Sequence, residues 1–194
     1  MGWSTLALGV LMPHGKVVAM DMAPDPQMRE GLALTNRIAA RHGLPVRAVQ
    51  GTSPQDVATV IDRELGGSID FAFIDGLHTN EQVVRDYAAV RAKATPGAVF
   101  LVHDVALFDM HAGMTEIGKL AGRAPKLLLG TPSGMAILFD ESAHPALARA
   151  VAAFAPPESA IKVVRQAAWD RRHRHLARWR RSIKKRVDRV RELS

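Results

Sequence analysis

Apolar and polar positions along this chain follow two periods in turn. Unbroken apolar runs of strand length occur at KVVAMDM (16 to 22), PVRAVQ (45 to 50), IDFAFID (69 to 75) and AVFLVHD (98 to 104). They are rich in Val, Ile and Phe, and are bounded by turn residues, as buried strands are. Between them the period changes to that of a helix. Asp25 is placed to cap a helix with Pro26 at its first position, and Met28, Leu32, Thr35 and Ile38 mark one face until Gly43 ends it. Ser53, Pro54 and Asp56 begin another helix that Gly66 and Gly67 finish, and Thr79 with Gln82 reads as a capping box opening a helix to about residue 94. WSTLALGVLM at 3 to 12 is a short apolar helix closed by Pro13 and Gly15.

Strand and helix thus alternate, and strands apolar at every position are buried on both faces, so the expected fold is doubly wound α/β with a Rossmann-like, mostly parallel sheet. Beyond residue 104 a helix is expected over 112 to 124. KLLLG (126 to 130) and MAILF (135 to 139), joined across TPSG, form a terminal antiparallel strand pair. Ala146 to Ala155 fits a last packing helix, and Pro156-Pro157 a hinge. The division that follows is an α/β domain over 1 to 155 and a helical extension over 158 to 194.

At 194 residues the chain suits one domain with an appendage. No apolar run approaches the ~20 residues of a membrane span, and no secretory signal is evident, so the expected location is cytoplasmic. The absence of cysteine excludes disulfides, thiolate zinc sites and cysteine nucleophiles, so any metal must sit on oxygen or imidazole. The net charge of +7 resides in one segment: residues 158 to 194 carry 13 Lys and Arg against 4 Asp and Glu, while residues 1 to 157 carry 13 against 15. From Ile161 onward, Val164, Ala168, Leu176, Trp179, Ile183, Val187 and Val190 recur at helical spacing among arginines and lysines, which predicts a long basic amphipathic helix. Self-packing or homodimerisation is the favoured role. An anionic membrane surface comes second, since Trp169 and Trp179 suit an interface and would make the protein peripheral to a membrane; nucleic acid comes third, because charge without a binding module gives only nonspecific affinity.

Polar residues end the buried runs: Asp21 after the first, Asp75 and His78 after the third, His103 and Asp104 after the fourth. In an open parallel sheet these positions converge at the carboxyl edge, where ligands bind. The segment IDFAFIDGLHT followed by TPGAVFLVHD resembles the class I S-adenosylmethionine-dependent methyltransferases, in particular the small O-methyltransferase-like families with a DGxH segment and a terminal His-Asp. The likeness spans residues 2 to about 140, and GWSTLALG at 2 to 9 looks like the end of their glycine-rich loop and first helix.

That resemblance implies S-adenosyl-L-methionine as cofactor and transfer of its methyl group to a hydroxyl of a small-molecule or sugar-like acceptor. Gly2, Ser4, Asp21, Met22, Ser53 and Asp75 would be the cofactor-binding residues, with Asp21 accepting from the ribose hydroxyls, Met22 flanking the adenine and Ser53 near its edge. Asp75, His103 and Asp104 would hold a divalent metal; the histidine turns the preference from magnesium toward manganese, iron or zinc. His78 is the first candidate general base and His103 the second, because histidine changes charge near neutral pH. Ser53 reads equally as a helix cap, Asp21 as a turn residue and His78 as the orienter of Asp75. In the resembled family a first strand and earlier glycines precede the position of Gly2. Their lack points either to a start downstream of the natural one or to a truncated paralogue, in which the strands beginning at Lys16 and Ile69 would pair directly. A noncatalytic remnant acting as an adaptor through the basic helix is the competing functional reading, and a metal-dependent hydroxylase-like relative a third.

Overall fold

The structure is a computed structural model that describes residues 2 to 131 and 133 to 172. In chain order the elements are α1 (Trp3–Leu11), β1 (Val17–Asp21), α2 (Pro26–Arg41), β2 (Val46–Gln50), α3 (Val57–Leu65), β3 (Ile69–Ile74), α4 (Asn80–Arg91), β4 (Ala94–Val102), α5 (His111–Ala121), β5 (Lys126–Leu128), β6 (Met135–Leu138), α6 (Pro145–Phe154) and α7 (Glu158–Arg172). The expected alternation is present, with mixed α/β architecture. β1 pairs parallel with β2, and β3 parallel with β4; β6 then runs antiparallel between β4 and β5.

The strands do not form one continuous sheet. β1 and β2 make a two-stranded sheet and β3, β4, β6 and β5 a four-stranded one, in that spatial order. Direct pairing of the strands beginning at Lys16 and Ile69, one of the two expectations above, is therefore not what the chain does. One apolar core nonetheless crosses the gap. Val57 and Ile61 of α3 pack with Ile69, Ala72 and Ile74 of β3, Val83 and Tyr87 of α4 and Met114 and Ile117 of α5, with Met20 of β1 against them. α6 buries Val151 against the opposite face of the larger sheet, beside Ile137 and Phe139.

Helix starts follow the capping chemistry in two cases and depart from it in others. The Asp25 carboxylate accepts from the Met28 N–H at 2.8 Å, and the Thr79 hydroxyl accepts from the Gln82 N–H at 3.2 Å. Gln82 does not complete a capping box, because its amide turns to the Ser53 carbonyl and the Asp86 carboxylate. The helix expected from Ser53 begins at Val57, since the Asp56 carboxylate accepts from the Thr52 N–H at 2.8 Å and holds the intervening residues in a turn. β4 begins earlier than expected, at Ala94, and a register shift opposite Ile69 and Phe71 absorbs the Pro96-Gly97 turn, where Gly97 has φ 83°. α7 starts directly after Pro156-Pro157, with Ala168 buried and Ile161 and Val164 half-buried, so the first turns of the expected stripe lie against the protein's own body. The remainder of that predicted helix, from His173 on, lies outside the described residues, as do the dimer, lipid and nucleic-acid roles that depend on it.

Candidate functional site

The parallel register of β3 and β4 builds the centre of the site. Ile74 lies opposite Val102, and the His103 N–H donates to the Ile74 carbonyl at 3.0 Å. The next residues on each strand, Asp75 and His103, therefore leave the sheet side by side. Asp104 follows in the left-handed region at φ 60°, a conformation Asp tolerates better than most residues, and this turn aims its carboxylate back at the strand ends. His78 Nε2 lies 3.2 Å from Asp75 Oδ1 and 3.3 Å from Asp104 Oδ2. His103 Nδ1 lies 3.3 Å from Asp75 Oδ1 and 3.1 Å from Asp104 Oδ1. All four side chains thus meet at one point, with the Phe108 ring stacked on His78 at a centroid distance of 4.3 Å and Phe73 tilted against His103.

Within this group Asp75, His78 and Asp104 can each present one ligand atom within 4.8 Å of the others. The metal trio expected above used His103 in place of His78. The geometry brings both imidazoles to the same two carboxylates, and His103 Nδ1, buried, lies within ion-pair distance of both without hydrogen-bond geometry to either.

Beside this cluster a cavity of about 450 Å³ runs between β1 and β3. Gly2, Ser4, Asp21, Ser53 and Asp75 line it, so five of the six expected cofactor residues face one space. Met22 does not line it; its side chain is exposed just past the end of β1, because the Asp21 carboxylate accepts from the Ala23 N–H at 2.7 Å and turns the chain there. Gly2 caps α1 at φ 77°, and a Cβ at that position would fall 1.9 Å from Thr35 Oγ1, so the tight junction of α1 with α2 requires glycine. Ser53 is not a helix cap. Its hydroxyl donates to Asp86, a buried carboxylate on α4.

Asp86 and Phe108 have no place in the expectations above. The carboxylate of Asp86 accepts from both Ser53 and Gln82 and ties the loop after β2 to α4. A charged residue one helical turn after Gln82 on an otherwise amphipathic helix gave no signal, because charge on a helix usually faces solvent. Asn80 was equally silent: its side chain donates to the Asp109 carbonyl at 3.2 Å and accepts from the Gly113 N–H at 2.7 Å, fixing the loop that carries Phe108. His111, at the start of α5, is buried, and burial pushes its pKa below the ordinary 6.5, with Arg165 of α7 lowering it further and Asp109 opposing.

Three comparisons bear on this geometry. The profile of the methyltransferase domain family matches residues 1–105. Among solved structures the chain is similar to the O-methyltransferase TomG from Streptomyces achromogenes, involved in tomaymycin synthesis, with a TM-score of 0.54 at 20% identity, covering 70% of this chain and 67% of that one. It is also similar to CalS11, a TDP-rhamnose 3'-O-methyltransferase of calicheamicin biosynthesis, with a TM-score of 0.53 at 19% identity, covering 71% of this chain and 65% of that one. At such identities the likeness is one of fold, and the chain spans about two thirds of those structures' length. No curated protein matches the sequence significantly. A profile match over more than half of the residues, on a fold shared with two O-methyltransferases, places the chain in the methyltransferase domain family.

Proposed function

We propose that the chain is an S-adenosylmethionine-dependent O-methyltransferase acting on a hydroxyl of a small-molecule or sugar-like acceptor. The observation that carries this reading is the meeting of Asp75, His78, His103 and Asp104 at the carboxyl edge, beside a cavity that also holds Gly2 and Asp21. Asp21 has one oxygen engaged by the Ala23 N–H, and its other oxygen suits a diol, for which an acceptor-only group is the right partner. Asp75 and Asp104, with an imidazole nitrogen from His103, offer a mixed oxygen and nitrogen donor set; the buried Nδ1, 3.1 to 3.3 Å from both carboxylates without hydrogen-bond geometry to either, fits a third ligand to a divalent ion such as manganese or zinc. When bound, S-adenosylmethionine supplies an electrophilic methyl group, and a divalent ion supplies Lewis acidity toward the acceptor hydroxyl.

The chain's own residues then perform two tasks. The carboxylates and His103 orient the acceptor oxygen, which brings the reacting atoms together and removes much of the entropic part of the barrier. His78 receives the hydroxyl proton: with Nε2 donating toward Asp75, the lone pair on Nδ1 is the accepting position, and the two carboxylates stabilise the imidazolium that forms. Phe108 holds the ring flat against one face and, with the exposed Leu77 and Leu107, gives the acceptor side an apolar rim. An acceptor with an apolar or planar portion next to its hydroxyl fits that rim.

Calorimetric titration with S-adenosylhomocysteine tests the reading. It is run on the 194-residue chain. Micromolar binding, weakened at least about tenfold (~1.4 kcal/mol) by Asp21→Ala, is the expected result. No heat of binding overturns it.

A further inference from the structure

A second concavity lies at the end of the larger sheet opposite the cluster of Asp75, His78, His103 and Asp104. Between the pairs Ile69–Ala94 and Phe71–Val99, β3 advances two residues while β4 advances five, so Thr95 to Ala98 bow out of the ladder. A bulge of this kind reshapes a sheet locally, and this one is fastened in place: His144 Nε2 lies 2.6 Å from the Gly97 carbonyl oxygen. The bulge, the last turns of α4 and α5 and the end of β6 bound a cavity of about 360 Å³, a volume in the range of small-molecule sites. Ala98 and His103 are five positions apart along the same strand, roughly 16 Å. No residue lines both this cavity and the one between β1 and β3.

Tyr87 of α4 lines this second cavity. It is 1% exposed, and its ring meets Phe100 edge-on at a centroid distance of 5.1 Å, a contact that phenylalanine would make as well. The hydroxyl is therefore not there for packing. It has no hydrogen-bond partner among the described residues, and a hydroxyl withdrawn from water is costly until an acceptor reaches it. Burial raises its pKa above the ordinary 10, with Arg91 and Arg123 acting in the opposite direction, so at neutral pH the group is protonated and available as a donor.

Arg91 and Arg123 line the same space, with Asp140 at its edge. Arg91 Nη1 donates to the Leu120 carbonyl at 2.5 Å, and Arg123 Nη1 lies 3.2 Å from Asp140 Oδ2. A guanidinium carries five N–H donors, so each arginine keeps donors beyond that one contact. Asp140 is ionised at neutral pH, which leaves the lining with a formal charge of +1, two arginines against one carboxylate. We infer that this cavity binds a singly charged oxyanion carried on a small molecule, a carboxylate or a phosphodiester, with the Tyr87 hydroxyl and the Arg91 and Arg123 guanidiniums as its donors. An anion of charge −1 neutralises the lining and gives the hydroxyl its acceptor; a cation would meet two guanidiniums, and an apolar molecule would leave the hydroxyl unbonded.

This inference is independent of the methyl-transfer reading, and its readout involves no cofactor. The 194-residue chain is titrated with benzoate, with dimethyl phosphate and with neutral benzamide, and amide NMR shifts are followed at Gly97, Ala98 and Ala121 beside this cavity and at Gly76, His103 and Asp104 beside the other. Saturating shifts at the first three are expected with at least one of the anions, with a Kd on the order of 1 mM for so small a probe, and none with benzamide; the tighter anion tells a carboxylate site from a phosphodiester site. Tyr87→Phe keeps the ring against Phe100 and should weaken binding about fivefold, the worth of one hydrogen bond. Arg91→Gln should weaken it at least about tenfold. No saturation with either anion, shifts confined to Gly76, His103 and Asp104, an equal response to benzamide, or an unchanged affinity in either variant would overturn the inference.

Discussion

Asp86 gives the most demanding test of how this protein is held together, because a buried carboxylate on a helix is costly unless its partners are complete. It is 4% exposed, and one of its oxygens, Oδ1, accepts from both the Ser53 hydroxyl and the Gln82 amide. Hydrogen bonds to a charged acceptor are worth about 1.5 to 3 kcal/mol each. Asp86→Ala removes two of them, and both donors are half-buried, so some solvation returns to them; it also relieves the desolvation of the carboxylate. The net loss expected is about 2 to 3 kcal/mol. Asp86→Asn keeps an acceptor oxygen at the Oδ1 position and loses only the charge, so it should cost about 1 kcal/mol. Urea unfolding reads both: with a slope of roughly 2 kcal/mol per molar, Asp86→Ala moves the midpoint down by about 1 to 1.5 M and Asp86→Asn by about 0.5 M.

A double-mutant cycle with Ser53→Ala isolates the contact, and a coupling of about 1 to 2 kcal/mol is expected. Single-mutant losses that add within about 0.3 kcal/mol would show that the Ser53 hydroxyl and Asp86 do not act as a pair, and the account of the loop after β2 would fail. Because Ser53 lines the cavity, Asp86→Ala should also weaken S-adenosylhomocysteine binding, although Asp86 is a positioning residue. Rescue of that affinity by Asp86→Asn separates loop positioning from a direct contact.

Other perturbations have equally definite outcomes. His111 has a folded pKa below its ordinary 6.5, so the unfolded chain binds the proton more readily; stability is fully present above about 6.5 and falls as pH drops below it. Melting temperatures measured from pH 7.5 to 5.5 should therefore decline less in His111→Gln than in the parent, and parallel slopes would refute this. Asp140 is held down from 3.8 to about 2, first by the Ser142 hydroxyl and then by the Ser142 and Ala143 N–H groups; its contribution is lost as pH falls from about 3.8 toward 2. Carbon NMR titration should show its midpoint rising in Ser142→Ala. Asn80→Ala breaks the link to Asp109 and Gly113 and should cost about 1 to 2 kcal/mol, a drop of roughly 3 to 6 °C in melting temperature. Manganese titration followed by water proton relaxation should detect one site in the parent and none in Asp75→Asn combined with Asp104→Asn; equal enhancement in both would remove the metal from the mechanism.

The strands, their order along the chain and the residues at their carboxyl ends were legible because each rests on local information. An unbroken apolar run needs two covered faces, and in a parallel pair the residues just past such runs become neighbours, which is how Asp75, His78, His103 and Asp104 came together without sharing a helix. Capping signals were legible only where one side chain and one backbone group decide the matter, as at Asp25. They failed where a distant partner outbid the local one: the Gln82 side chain turned to Ser53 and Asp86 while its N–H stayed on Thr79, and the Ser53 hydroxyl bonds Asp86 instead of capping a helix.

The open slot between β1 and β3 lies at the far end of the same scale. Periodicity reports whether a segment has the character of a strand but says nothing of what lies beside it, and VVAMD and IDFAFI read identically whether their outer edges are paired or not. What betrays the gap is backbone accounting. Among the described residues no strand pairs with the edges of β1 and β3 that carry Val18, Met20, Phe71 and Phe73, and these four residues line the cavity between the two sheets. The same accounting links fold to chemistry: Asp21 stands at one wall of the slot and Asp75 at the other, so whatever sets the separation of β1 from β3 also sets the distance between the carboxylate suited to a ribose and the cluster suited to the acceptor.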